Sequence, residues 1–289
     1  MRAEYWYLFV AGISFGLISF GAKVFSDLGF SLYEIAIFAL SLGALSMLPF
    51  ALKHRLKMSH IKFFSVYAVI EALTILSQVG SVVLGVPVAI AVFLLYMQPV
   101  YTILIGRMFL NETIDKGKII SVAVVLLGII VLVQPFEIGS NSTGLAVAVF
   151  SGFIFSLWVV YGRKGGIKKI HPAATNFWRS LFAVILLALL YPLISTIVTS
   201  PSIISFNQRS FDLWLYFIVY AIYVWGFTIF LSYKGLQKVS ASDAGIILLL
   251  EPVSATLLAA AFLLQPLTIN IAVGGFFILL ANYLTIRKK

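Results

Sequence analysis

Apolar residues along this chain come in blocks of about 20 rather than in short polar and apolar alternations, and the blocks recur from one end to the other. They fall at about 5–25, 32–52, 62–84, 88–109, 117–135, 143–162, 172–199, 211–235, 240–264 and 269–286. Each block can cross a hydrocarbon core of about 30 Å as a tilted helix. The pattern predicts an all-α integral membrane protein with ten transmembrane helices. A β-barrel would alternate polar and apolar positions over strands of about ten residues, which these blocks do not do.

Composition agrees with the pattern. With 62% hydrophobic and 10% charged residues, and a mean hydropathy of +1.08, the chain lacks the polar groups to cover a water-soluble globule. Its 289 residues leave no room for a sizeable soluble domain beside ten spans. The net charge of +10 would point to nucleic acid in a soluble protein, but its placement here points to topology.

Basic residues fill alternate gaps: Lys53, Arg55, Lys57 and Lys62; Arg107, Lys116 and Lys118; Arg163, Lys164, Lys168 and Lys169; Lys234 and Lys238; and Arg287, Lys288 and Lys289. The other gaps hold only Lys23 and Arg209. The positive-inside bias then predicts a multi-pass protein of the cytoplasmic membrane with both termini in the cytoplasm. The absence of cysteine excludes disulfides, thiolate metal sites and cysteine nucleophiles. The first block is too long and too aromatic for a cleaved signal, and reads as the first span.

One interruption organises the rest. In the ninth block, Glu251-Pro252 places a charge in hydrocarbon and removes a helical hydrogen bond. The segment Leu248 to Val253 has a twin 153 positions earlier, Leu95-Tyr96-Met97-Gln98-Pro99-Val100. A second parallel, Lys23 to Phe38 with Arg163 to Trp178, runs at an offset of 140. The difference predicts an insertion in the polar loop Ser200 to Ser210. Two repeats follow, 1–136 and 137–289, of five helices each. Five is odd, so the repeats are inverted, the architecture of secondary transporters that alternate access around a midplane site.

Two segments carry a family likeness. Leu95 to Thr113, followed by Gly117, and Leu250 to Leu267 resemble the EamA-type domain of the drug/metabolite transporter superfamily, over essentially the whole chain. That family usually has an acidic residue after the second apolar stretch; this chain has Glu112 in the first half and Gln265 in the second. It also tends to place an arginine in the second helix of each repeat. Arg179 matches, whereas the first-half position is Ala39. The resemblance implies ten helices around a central cavity lined mainly by spans one, three, four, six, eight and nine. It also implies a carrier of small organic metabolites, with export of amino acids or similar solutes foremost.

Polar residues inside the blocks supply the candidate site. Tyr67, Glu71, Thr74 and Gln78 lie on one helical stripe that should face protein or water. Glu71 and Gln78 are the candidates there for solute contact. A carboxylate at that depth must be paired or protonated, so Glu71 is either a coupling or solute group or a tie between helices. Gln98 and Glu251 should face each other across the repeat axis, with Pro99 and Pro252 as hinges.

Span eight has the densest aromatics. Tyr216, Tyr220, Tyr223, Phe227 and Phe230 recur by four, three, four and three, a nearly continuous face. Tyr220, Tyr223 and Phe227 could stack on an apolar solute or hold a cation at about 1 to 2 kcal/mol per ring. Tyr96, Tyr101 and Trp158 complete the candidate wall. Lys23 with Asp27 reads as an interfacial pair, and Arg179 as either a headgroup contact or a pair within the bundle. His54, His60 and His171 read as solvated loop residues, and no spacing suggests a metal or a cofactor. Asn141-Ser142-Thr143 matches a glycosylation sequon.

No Walker phosphate loop and no catalytic constellation occurs, so the expected function is carriage without enzyme chemistry. The expected partners are a small-molecule solute and the lipid bilayer. Proton coupling through Glu71 or Glu251 and uncoupled flux both remain open. The alternative to metabolite export is an organic-cation carrier using deep carboxylates and aromatic rings.

Overall fold

A computed structural model describes residues 3–133, 142–197 and 209–287, apart from residues 55, 85, 87, 265 and 266, and every regular element among them is helical. The helices are α1 (Ala3–Asp27), α2 (Leu32–Ala51), α3 (Met58–Val83), α4 in two pieces (Val88–Leu95 and Gln98–Leu110) and α5 (Lys116–Val133). The second half has α6 (Ser142–Ile167), α7 (Pro172–Ile197), α8 in three pieces (Phe211–Ala221, Ile222–Thr228 and Ile229–Leu236), α9 in two (Ala241–Leu248 and Glu251–Leu263) and α10 (Ile269–Arg287). Nine of these are long and apolar enough to cross a membrane. The tenth, α5, has 18 residues and spans about 27 Å at 1.5 Å per residue.

The helix ends are set by local chemistry. Ser31 and Glu34 form a capping box on α2, with the Glu34 N–H donating to Ser31 Oγ at 3.0 Å and the Ser31 N–H to Glu34 Oε2 at 2.8 Å. Ser210 and Ser240 cap α8 and α9. The four described residues with positive φ fall into two repeat-related pairs. Gly29 and Lys169 sit after α1 and α6, and Asn111 and Leu264 end α4 and α9. The offsets are the 140 and 153 seen in the sequence, so the repeat is present in the backbone as well as in the side chains.

Packing respects the same exchange of halves. Helix α2 packs on α7, α5 on α10 and the second piece of α4 on the first piece of α9. The contact of α3 with α6 is matched by that of α8 with α1. Small residues permit the closest crossings. A Cβ added to Gly128 of α5 would lie 2.8 Å from the Gly274 carbonyl oxygen of α10, and one added to Gly274 would lie 2.6 Å from the Gly128 oxygen. The fold is thus two inverted five-helix repeats, with α1, α4, α6, α8 and α9 meeting at the centre. The predicted insertion and the Asn141 sequon lie outside the described residues, apart from the loop's end at Arg209 and Ser210.

Candidate functional site at the broken helices

The breaks in α4 and α9 follow from their prolines. Pro99 and Pro252 are the second residues of the pieces that begin at Gln98 and Glu251. Neither has an N–H, so the carbonyls of Leu95 and Leu248, four residues before, lose their helical donors. Each helix therefore restarts there, which puts Gln98 and Glu251 at first positions of new helical segments. Such a position favours a negative charge.

Glu251 is buried, and its carboxylate meets hydroxyl groups from the other repeat. Ser19 Oγ of α1 donates to Oε1 at 3.0 Å, and the Tyr96 hydroxyl of α4 lies close to it. Among the described residues no basic side chain pairs with it. No hydrogen bond joins Gln98 to Glu251 among the described residues. The Gln98 Nε2 donates to Thr102 Oγ1, and it lies against Gly245 of α9, where an added Cβ would come within 2.8 Å of Nε2. Each residue of the pair thus touches the opposite half, but at separate places. The Gln98 Oε1 atom is buried without a donor among the described residues.

Glu71 has a different environment. It is ion-paired with Arg179 of α7, which is wholly buried, and the Trp158 indole N–H donates to its Oε2 at 2.6 Å. Arg179 Nη2 donates to Asn176 Oδ1 at 3.1 Å and Ser180 Oγ at 2.9 Å. The guanidinium lies 5.8 to 6.0 Å from the ring centres of Trp158, Tyr67 and Tyr233. The Tyr67 hydroxyl donates to the Trp158 carbonyl at 2.8 Å. Pairing, the option the sequence left open for both Glu71 and Arg179, is what the fold uses. Trp158 is committed to this cluster. The Gln78 side chain lies outside the described residues.

The aromatic face predicted on α8 is not continuous. Residues Ile222–Thr228 form a π-helical turn, which inserts extra rotation and resets the phase of the stripe. Before it, Tyr220 packs among Phe25 and Phe217 and covers Gly21, with its hydroxyl donating to the Ile18 carbonyl at 3.3 Å. Within the turn, Tyr223 and Phe227 are 41% and 44% exposed, and Tyr223 shares a hydrogen bond with Ser14 of α1 at 3.2 Å. The wide turn also presents the Trp225 and Gly226 carbonyls to Asn176 Nδ2, at 2.9 and 3.2 Å. Tyr101 packs edge-on against Phe153 of α6.

Two clasps join the halves on either side of these residues. On the face carrying both termini, Glu112 at the end of α4 accepts the Ala241 and Ser242 N–H groups at 2.6 and 3.1 Å and the Ser242 hydroxyl at 2.6 Å. Asp243 accepts from the Tyr5 hydroxyl at 3.0 Å and lies 3.8 Å from Lys118 Nζ. Tyr5, Glu112 and Asp243 line a cleft of about 210 Å³ that also reaches Arg163 and Lys238. On the opposite face Arg209 pairs with Glu34 at 2.9 Å and donates to the Gly29 carbonyl at 2.7 Å. Neither clasp was legible in sequence, because each joins residues more than 100 positions apart. The pair Lys23–Asp27 is exposed, as an interfacial pair should be.

This architecture is that of a two-repeat helical membrane transporter. The chain belongs to the EamA-like transporter family, whose model matches residues 2–134 and 142–287, and so to the drug/metabolite transporter superfamily. An uncharacterized transporter of Clostridium kluyveri is 23% identical over 100% of this chain and 95% of its own length. One from Archaeoglobus fulgidus is 25% identical over 69% of this chain and 68% of its own. A solved crystal structure bearing no functional description has the same fold, with a TM-score of 0.83 at 15% identity over 100% of this chain and 99% of that one.

Proposed function

We propose that the protein is a secondary carrier that moves small amine-bearing metabolites, amino acids or related solutes, outward across the cytoplasmic membrane. The observation behind this reading is the contrast between the two deep carboxylates. Glu71 has its cation in Arg179. Glu251 has only hydroxyl donors, and a buried carboxylate in that position is matched by a proton or by a cation from outside the fold. It sits where α9 breaks and touches helices of the other repeat, so a charge change there bears on the packing of one half against the other. In this reading Glu251, Tyr96, Tyr223 and Phe227 face the solute, Glu71 and Trp158 hold the wall, and Pro99 and Pro252 act as hinges. Repeats 1–136 and 137–289 are the moving units, and both termini are cytoplasmic.

The second reading is an organic-cation carrier. It is favoured by the commitment of Arg179 to Glu71, Asn176 and Ser180, which leaves that guanidinium unavailable to a solute carboxylate. A thermal-shift screen of the purified protein against amino acids, quaternary amines, nucleosides and sugars separates the two, since a ligand of the folded state raises its stability by mass action. Stabilisation by an amino acid supports the first reading and by quaternary amines alone the second. In either case it should vanish in Glu251→Gln. Stabilisation by sugars or nucleosides only would sink both.

A further inference from the structure

The face that carries both termini divides its charges unevenly. Around the starts of α1 and α9 three cations have acid or carbonyl partners, and Lys234 lies over the Tyr7 ring at 4.4 Å. Lys238 meets Glu4 at 2.5 Å, Lys118 lies beside Asp243, and Arg163 donates to the Leu236 and Gln237 carbonyls at 3.0 and 2.6 Å. The loops before α3 and α7 are different. Residues 52–62 and 163–171 contain no aspartate or glutamate. They converge on one cleft of about 580 Å³, lined by Lys53, Lys57, Lys168, Lys169, His54 and His171 and floored by Phe64, Ala174 and Trp178.

The positive-inside rule requires lysines on this face, yet it does not require lysines from two distant loops to share one cavity. Several details show that this cavity is built. The His54 and His171 rings stack at 4.0 Å with planes 13° apart, one from each repeat. Lys168 is held over the Phe63 ring at 5.4 Å. Burial first, then the neighbouring His54 and Lys234, holds the His171 imidazole below its usual range. The Trp178 indole N–H has no acceptor among the described residues. Helices α3 and α7 both begin here, at Met58 and Pro172, so the positive ends of two helix dipoles add to the lysines.

We infer that this cleft binds a phosphate-bearing anion, supplied by an anionic phospholipid headgroup or by a soluble phosphate. Lysines suit a phosphate as point charges, and a juxtamembrane lysine cluster is the ordinary means of holding an anionic lipid. Bound there, the anion would bridge the loop joining α2 to α3 and the loop joining α6 to α7, one in each repeat.

The test uses the whole protein in phosphatidylcholine nanodiscs, with and without a minor fraction of phosphatidylglycerol, and native mass spectrometry of the lipid retained on release. In parallel, inorganic phosphate is titrated calorimetrically into the phosphatidylcholine discs. Preferential retention of phosphatidylglycerol assigns the lipid source, and a saturable heat with phosphate the soluble one. In either case Lys168→Gln/Lys169→Gln weakens binding about tenfold or more, while Arg107→Gln/Lys116→Gln, an equal charge loss elsewhere on the same face, leaves it unchanged. Lys53→Gln/Lys57→Gln, on the other loop, repeats the measurement should the first variant fail to fold. No preference for either anion, or equal effects of cleft and control variants, overturns the inference.

Discussion

Glu71 and Arg179 form an ion pair buried between α3 and α7, 108 positions apart in the chain. Arg179 answers the carboxylate that the third span carries into the membrane. Removing one partner of a buried pair strands the other charge, at a cost of about 3 to 5 kcal/mol. Arg179→Met should therefore lower the unfolding midpoint in detergent sharply. Arg179→Met/Glu71→Leu should recover much of the loss, because no charge is then stranded. Equal destabilisation by the single and double variants would show that the guanidinium's other partners matter more than Glu71.

Glu251→Gln should behave in the opposite way. With no cation to strand, it should leave the melting temperature near or above that of the parent. Solute flux into liposomes should lose any response to an imposed pH gradient. Retention of both flux and gradient response would relieve Glu251 of any coupling role and leave its stretch as a hinge alone.

The Glu112 carboxylate caps the first turn of α9 across the repeat boundary. Loss of such a cap costs about 1 kcal/mol and should open the face it closes. Because the chain has no cysteine, a single Ser240→Cys reports this cleanly: its labelling by a membrane-impermeant maleimide should accelerate when Glu112→Ala is added. An unchanged rate would mean that Asp243 and Lys118 hold the closure without it.

Pro252→Ala restores the missing N–H and should let α9 run on as an unbroken helix, as should Pro99→Ala in α4. Each should fold and melt normally, yet slow flux by about tenfold, as expected of a hinge variant. Normal flux from a variant whose helix has straightened would assign the prolines to packing.

His171 titrates on the face of the termini. Burial first, then His54 and Lys234, lowers its pKa. The folded protein therefore holds this proton less tightly than the unfolded chain. Its contribution to stability is present above about pH 6.5, the unfolded value, and is lost as pH falls. In phosphate-free detergent the melting temperature should drop on acidification, and His171→Gln should flatten that slope. An undiminished slope in the variant would place the titration elsewhere.

These residues also show how far the sequence reaches. Span number, the breaks at Gln98-Pro99 and Glu251-Pro252 and the two repeat offsets were legible because each is a local property: a run of apolar residues, a missing N–H, a spacing. The candidate site was legible only as a set of residues buried in hydrocarbon. His54 is exposed and His171 partly so, as loop residues should be, but each loop was read alone, and the cleft arises only when two loops meet.

The sequence by itself determined an all-helical, two-repeat membrane protein with deep carboxylates at positions 71 and 251. Tertiary structure decided what those carboxylates meet. Helices in lipid associate through close packing and polar contacts, with no hydrophobic drive to fix their rotation. Which faces meet thus depends on crossings such as Gly128 with Gly274 and on the π turn in α8, features that no periodicity encodes. That registry brings Arg179 to Glu71 and leaves Glu251 with Ser19 and Tyr96, giving two similar carboxylates two different electrostatic settings.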